Sequence, residues 1–170
     1  MELKKNLTFP MKKTIILIIF AIAMAYLEAM VVVYLRRLLP VYECWSHLDS
    51  YKDLCIFIEK SGIRWSEQTR EFATIAMLLS VAFFFGRNFR EKAAGFLIAF
   101  GIWDIFYYVF LFLWLRWPES LLTRDILFLI PCPWVSPVIV PVVISLAMIS
   151  GGLYMLAKPD SHTGSSPVRP

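Results

Sequence analysis

The sequence predicts an all-α, polytopic membrane protein, and three observations carry that prediction. Hydrophobic residues make up 59% of the 170 and mean hydropathy is +0.65, beyond the apolar share of an ordinary soluble domain. The apolar residues gather into runs near the roughly 20 that a helix needs to cross hydrocarbon. Lys and Arg sit at the ends of those runs, the pattern that sets topology and meets anionic headgroups. The length suits one domain of several spans and leaves no room for a separate soluble domain. The net charge of +4 therefore points to the lipid bilayer as partner, and no nucleic acid is expected.

Four transmembrane helices are expected within 14–157. Residues 1–13, with four lysines, form a basic leader. The first span, "TIILIIFAIAMAYLEAMVVVYL", is interrupted only by Glu28. A cleaved signal sequence competes with this reading, because Ala23 and Ala25 form an A-x-A site, but the apolar run continues to Leu35 at spanning length. Residues 36–66 are polar and mixed in charge and read as an outer loop, with an interfacial amphipathic helix near Leu54 to Ile58. The second span, "EQTREFATIAMLLSVAFFFG", has Ser66 as N-cap and Gly86 as stop. A tight basic turn, "RNFREK", leads to the third span at about Ala93 to Leu115, closed by an interfacial pair, Trp114 and Trp117.

The segment 121–136 is apolar yet proline-rich, with Pro131 and Pro133 inside it and Pro137 and Pro141 just beyond. Proline removes a backbone donor and clashes with the preceding turn. The expectation is a short half-helix, a break, and a fourth span from Pro137, which makes this a proline-broken segment before the last helix. The competing reading is an apolar loop at the outer interface, anchored by Trp134. The tail, 158–170, is polar and expected to be disordered. The leader, the "RNFREK" turn and Lys158 place short basic stretches on one side. That predicts a multi-pass protein of the cell inner membrane with both termini cytoplasmic.

Ionisable residues inside the spans carry the functional signal. At 1.5 Å per residue, Glu28 lies about 22 Å from Lys13, Glu71 about 24 Å from Arg87 and Asp104 about 18 Å from Lys92, so the three carboxylates share one layer. Tyr107 and Tyr108 follow Asp104 at i+3 and i+4, and Glu67, Arg70, Glu71 and Thr74 form a stripe on the second span. Charges in hydrocarbon face inward and pair, which turns Glu28, Arg70, Glu71 and Asp104 toward one another with Arg70 the expected counter-ion, a pairing with Asp104 among the possibilities. Ala21, Ala25 and Ala29 on the first span, and Ala76 and Ser80 on the second, would allow the close approach. Three carboxylates against one arginine leave a deficit, met by Arg36 turning inward, by protonation or by a bound cation. Glu28, Arg70, Glu71, Asp104, Tyr107 and Tyr108 are thus the binding candidates, with Arg36, Glu67 and Asp125 secondary. The alternative is a wet mouth whose ion pairs only fix helix register.

Other chemistries lack their residues. The only histidines are His47, in a loop, and His162, in the tail, so no bis-histidine haem, H-E-x-x-H zinc site or other metal centre is expected. No G-x-S-x-G, P-loop or G-x-G-x-x-G is present, and no cofactor is expected. Gly151 and Gly152 read as a helix-packing feature. Cys44 and Cys55 share the outer loop and could form a disulfide there, leaving Cys132 as apolar filler.

The segments "AYLEAMVVVYLR", "EQTREFATIAML", "FLIAFGIWDIFYYVFL", "WPESLLTRDILFLIPCPW" and "PVIVP" together resemble an uncharacterised family of small four-helix prokaryotic integral membrane proteins. The resemblance covers most of Ala25 to Ser145 and implies the architecture, with no activity to carry over. The cysteine of "IPCPW" and the arginine of "TRD" depart from its pattern. Three functional readings remain. The first is a binding or accessory role, alone, as a homo-oligomer or within a membrane complex. The second is a proton- or cation-coupled transporter acting as an oligomer, with Glu28 exchanging and the proline break lining the route. The third is an intramembrane enzyme with Glu71 or Asp104 as acid or base and Tyr107 or Tyr108 assisting.

Overall fold

In a computed structural model of the chain, the residues described are 3–38, 62, 64–130 and 134–157, with the side chains of the first helix described from 11 to 37. Four helices run α1 (Leu3–Leu38), α2 (Arg64–Phe85), α3 (Phe89–Leu115) and α4 (Ile139–Ala157), with a hairpin of β1 (Arg124–Phe128) and β2 (Trp134–Pro137) between the last two. The Met11–Arg37 stretch of α1, all of α3 and all of α4 are long and apolar enough to cross a membrane. The chain is therefore a helical membrane protein. In α2 the first two turns carry Arg64, Glu67, Arg70 and Glu71, so its uninterrupted apolar part is only Phe72 to Phe85, about 21 Å long.

The helices alternate in direction. Lys13 Nζ near the start of α1 donates to the carbonyl of Phe85 at the end of α2, at 3.2 Å. The α2–α3 turn is built by three residues. Gly86 ends α2, and a Cβ there would fall 2.3 Å from the Lys92 nitrogen. Asn88 then caps α3 by accepting from the Glu91 N–H at 2.8 Å, and the Glu91 carboxylate accepts from the Arg87 N–H at 2.7 Å, which satisfies donors that a helix start leaves open. Helix α3 is central and packs on the other three. Its small residues let α4 approach closely: a Cβ on Gly101 would lie 2.6 Å from the Ser145 carbonyl, and one on Gly152 would lie 2.9 Å from the Ala94 carbonyl. Ala21, Ala25 and Ala29 of α1 are fully buried in the core, while the large side chains of Ile16, Leu27, Phe72, Phe84 and Leu146 face outward, where a bilayer is their solvent.

Three expectations are corrected. Residues 124–128 and 134–137 are antiparallel strands, not a half-helix, in the register Asp125 to Ser136 and Ile126 to Val135, with an irregularity before the Phe128 to Trp134 pair. The strand satisfies the backbone of "RDILF" without a helix, and the Val138 N–H to Thr123 carbonyl and Ile139 N–H to Leu121 carbonyl bonds tie the hairpin to α4. Ser66 lies inside the first turn of α2, which starts at Arg64. Ala76 and Ser80 are exposed, and α2 meets its neighbours through Thr74, Leu78 and Ala82 instead. Helix α1 begins at Leu3 and so runs through the basic leader into the first span. The interfacial helix near Leu54 to Ile58, the Cys44–Cys55 bridge, Cys132, Pro131, Pro133, both histidines and the 158–170 tail lie outside the described residues.

Candidate functional site

The hairpin lies across one end of the bundle, and beneath it the four helices enclose a cavity of about 260 Å³. Arg36, Glu67, Arg70, Glu71, Asp104 and Asp125 all line it, with Tyr107, Tyr108 and an aromatic wall of Phe100, Trp103, Phe128 and Trp134. Residues far apart in sequence are thus brought into one chamber, as Arg36 and Asp125, 89 positions apart, illustrate. Glu28 stands just behind it, bonded to two residues of the lining.

The polar groups divide by what already holds them. Arg70 forms an ion pair with Glu28, and it also donates from Nε and Nη2 to Glu67 Oε2 at 3.1 and 2.7 Å. Thr74 Oγ1 donates to the other oxygen of Glu28 at 2.5 Å. Glu28 is buried, so these bonds are what allow it to carry charge there. Both oxygens of Glu71 accept from the Leu129 N–H, at 2.8 and 2.9 Å, and Gln68 Nε2 donates to the Leu129 carbonyl at 3.1 Å. One turn of α2 therefore clasps the end of β1. Tyr108 donates to Asp125 Oδ2 at 2.9 Å, a second clasp from α3. Packing beneath the hairpin pushes the Asp125 carboxyl up from an ordinary 3.8 to about 6, against the opposing pull of Arg36 and the Tyr108 hydroxyl.

Arg70 is the counter-ion of Glu28, one member of the expected group, and not of Asp104. It is consumed by Glu28 and Glu67, which lie closer along α1 and on its own helix. Asp104 instead accepts from Ser145 Oγ of α4 at 2.7 Å. Among the described residues that is its only hydrogen bond, and its second oxygen has no partner, although the residue is 9% exposed. Trp103, 8% exposed, has a buried indole N–H with no acceptor among the described residues. Arg36 turns inward as the charge deficit required, but it stacks on Trp117, 4.0 Å from the ring centroid. It makes no ion pair with a described carboxylate.

Ser145, Trp103 and Thr74 were not among the sequence candidates. The signal for Ser145 is the buried run Pro141, Ser145, Gly152 on α4, a small-residue face whose one hydroxyl must find a partner. Among the described residues no group of three His, Cys, Asp or Glu converges as a metal site. No protein-family model, no curated protein and no solved structure matches this chain.

Proposed function

We propose that this protein is a membrane-embedded binding protein, with an accessory role rather than an enzymatic one, that takes a small solute into the chamber beneath its hairpin. One observation carries the reading: Asp104 lines a hollow of about 260 Å³ with only the neutral Ser145 hydroxyl bonded to it, while every neighbouring charge has a charged or main-chain partner, a tyrosine hydroxyl or an aromatic ring. The second oxygen of Asp104 has no protein partner among the described residues and is open to accept from a solute or water. The cavity lies just below the usual 300 to 1,000 Å³ of drug-sized sites, which suits a small ligand.

In this reading α2 is a fourth span, its charged turns facing the chamber, and the bundle sits in an inner membrane with both termini cytoplasmic. The contact of Lys13 with Phe85, beside Arg87 and Lys92, supports one basic, cytoplasmic end. The four-helix order keeps the resemblance to small prokaryotic membrane proteins as a proposal. A proton- or cation-coupled transporter is the second reading, favoured by the same free oxygen. Asp104 would then be the exchanging group, because Glu28 is tied to Arg70 and Thr74.

Cysteine labelling tests the binding reading, in a chain whose three native cysteines are replaced by serine. Met148→Cys, on the chamber wall, is expected to react with a membrane-impermeant thiol reagent from the outer side, while Met77→Cys, on the outward face of α2, stays unreacted. An unlabelled Met148→Cys contradicts a solute chamber. A reporter after Pro170 or in the "RNFREK" turn that reads outside the cytoplasm contradicts the topology.

A further inference from the structure

The chamber's charge and walls together specify a chemical class of ligand. Its lining holds four carboxylates, Glu67, Glu71, Asp104 and Asp125, against two guanidinium groups, Arg36 and Arg70. Glu28 adds a further negative charge through Arg70. The excess is negative, so an anion meets net repulsion and a cation meets net attraction. Of the carboxylates, Glu67 faces Arg70, Glu71 holds the Leu129 N–H, and Asp125 holds the Tyr108 hydroxyl. Asp104 is the one held by a single neutral hydroxyl, that of Ser145, with no guanidinium or main-chain N–H bonded to it among the described residues.

Beside Asp104 the wall is aromatic. Phe100 and Trp103 meet edge to face with centroids 5.3 Å apart, Trp103 and Tyr107 lie 6.3 Å apart, and Phe100 stacks on Phe128 at 6.3 Å. Aromatic faces attract cations, tryptophan most strongly, and they also solvate an apolar body. A hard metal ion calls for six or more oxygens, and the described carboxylates do not converge to supply them. An ammonium needs only one to three acceptors.

Resting on the binding reading above, we propose that the chamber binds a small organic ammonium ion, its charge against Asp104 and its apolar body against the Phe100–Trp103–Tyr107 wall. Trp103 lines the same hollow, and its ring is the aromatic face offered to the cation. Ser145 then serves as a positioning residue that holds one Asp104 oxygen and leaves the other to the guest.

Three probes of one shape test this on the full-length protein in lipid nanodiscs: benzylammonium, benzyl alcohol and benzoate. Benzylammonium is expected to raise the melting temperature saturably, with benzyl alcohol weaker by about tenfold or more and benzoate without effect. Asp104→Asn should remove the preference for the cation, leaving the two uncharged-body interactions alike. Trp103→Leu, which keeps the carboxylate, should weaken benzylammonium about three- to thirtyfold. Equal binding of benzylammonium and benzyl alcohol by the wild type would overturn the ammonium assignment while leaving the solute chamber standing. Absence of any benzylammonium shift, in protein whose Met148→Cys variant labels, would overturn it as well. An unlabelled Met148→Cys identifies failure of the binding reading itself.

Discussion

At the end of the bundle where Lys13 meets Phe85, helix backbones nearly touch, whereas at the hairpin end they part around a chamber. The first end is basic and is closed by small residues, with Gly86 and Gly152 each leaving no room for a Cβ. The second is acidic, and its polar side chains come in two kinds. Arg70, Glu28, Glu67 and Thr74 fasten α1 to α2, and Glu71 and Gln68 fasten the hairpin. Asp104 is held only by the neutral hydroxyl of Ser145, and its second oxygen has no partner among the described residues. Charge in an apolar bundle is therefore not one phenomenon. Where charged or main-chain partners hold it, it fastens one element to another; where only a neutral hydroxyl does, the proposed reading gives the adjoining space to a solute.

Arg70→Gln is the severest way to break the comparison. It leaves Glu28 and Glu67 without their shared counter-ion and is expected to destabilise the detergent-solubilised protein by about 3 to 5 kcal/mol, measured by thermal or denaturant unfolding. Adding Glu28→Gln should return part of that, with a coupling of about 0.5 to 3 kcal/mol. Strictly additive losses would show that the pair does not fasten the helices.

Matched overpacking changes at the two ends sharpen the contrast. Gly152→Ala at the closed end pushes a methyl to within 2.7 Å of the Ile98 Cγ1 atom and 2.9 Å of the Ala94 carbonyl, and should cost about 1 to 3 kcal/mol. Met148→Phe adds volume beside the chamber and should change stability by less than about 1 kcal/mol, because the hollow accepts the ring. Equal losses would mean that the chamber is no softer than the core.

The smallest effect concerns Asp125, which faces Tyr108 and Asp104 of α3 and Arg36 of α1. Its carboxyl is raised in the folded state to about 6 from 3.8, so the folded protein binds the extra proton first. Stability from this group therefore increases as pH falls through about 6 and levels off below about 4. The melting temperature of the wild type, measured relative to Asp125→Asn, should rise between pH of about 7 and about 5. A parallel pair of curves would contradict the shift.

Much of this contrast is legible from sequence, and its limits have physical reasons. The three apolar helices follow from apolar run length and the end of α2 from Gly86, whereas the Asn88 cap that starts α3 at Phe89, ahead of the expected Ala93, is seen only in the structure. The layer of Glu28, Glu71 and Asp104 follows from helical rise alone, and those residues do meet at one end of the bundle. Which carboxylate takes Arg70 does not follow, because the choice depends on helix rotation that several pairings satisfy. The hairpin was obscured because "RDILF" is a short apolar run, whose periodicity does not separate strand from helix, and its prolines argued for a break without specifying its form. Ser145 and Trp103 look like ordinary core residues until α4 is docked on α3.

The stability of Asp104→Asn beside that of Arg70→Gln tests the division between fastened and spare charge most directly. The amide keeps an acceptor for Ser145 Oγ and takes from the chamber only the free charge, so the variant should melt within about 1 kcal/mol of the wild type while losing its response to benzylammonium. A loss as large as that of Arg70→Gln would make Asp104 one more fastening, and the distinction between the two kinds of polar residue would be wrong.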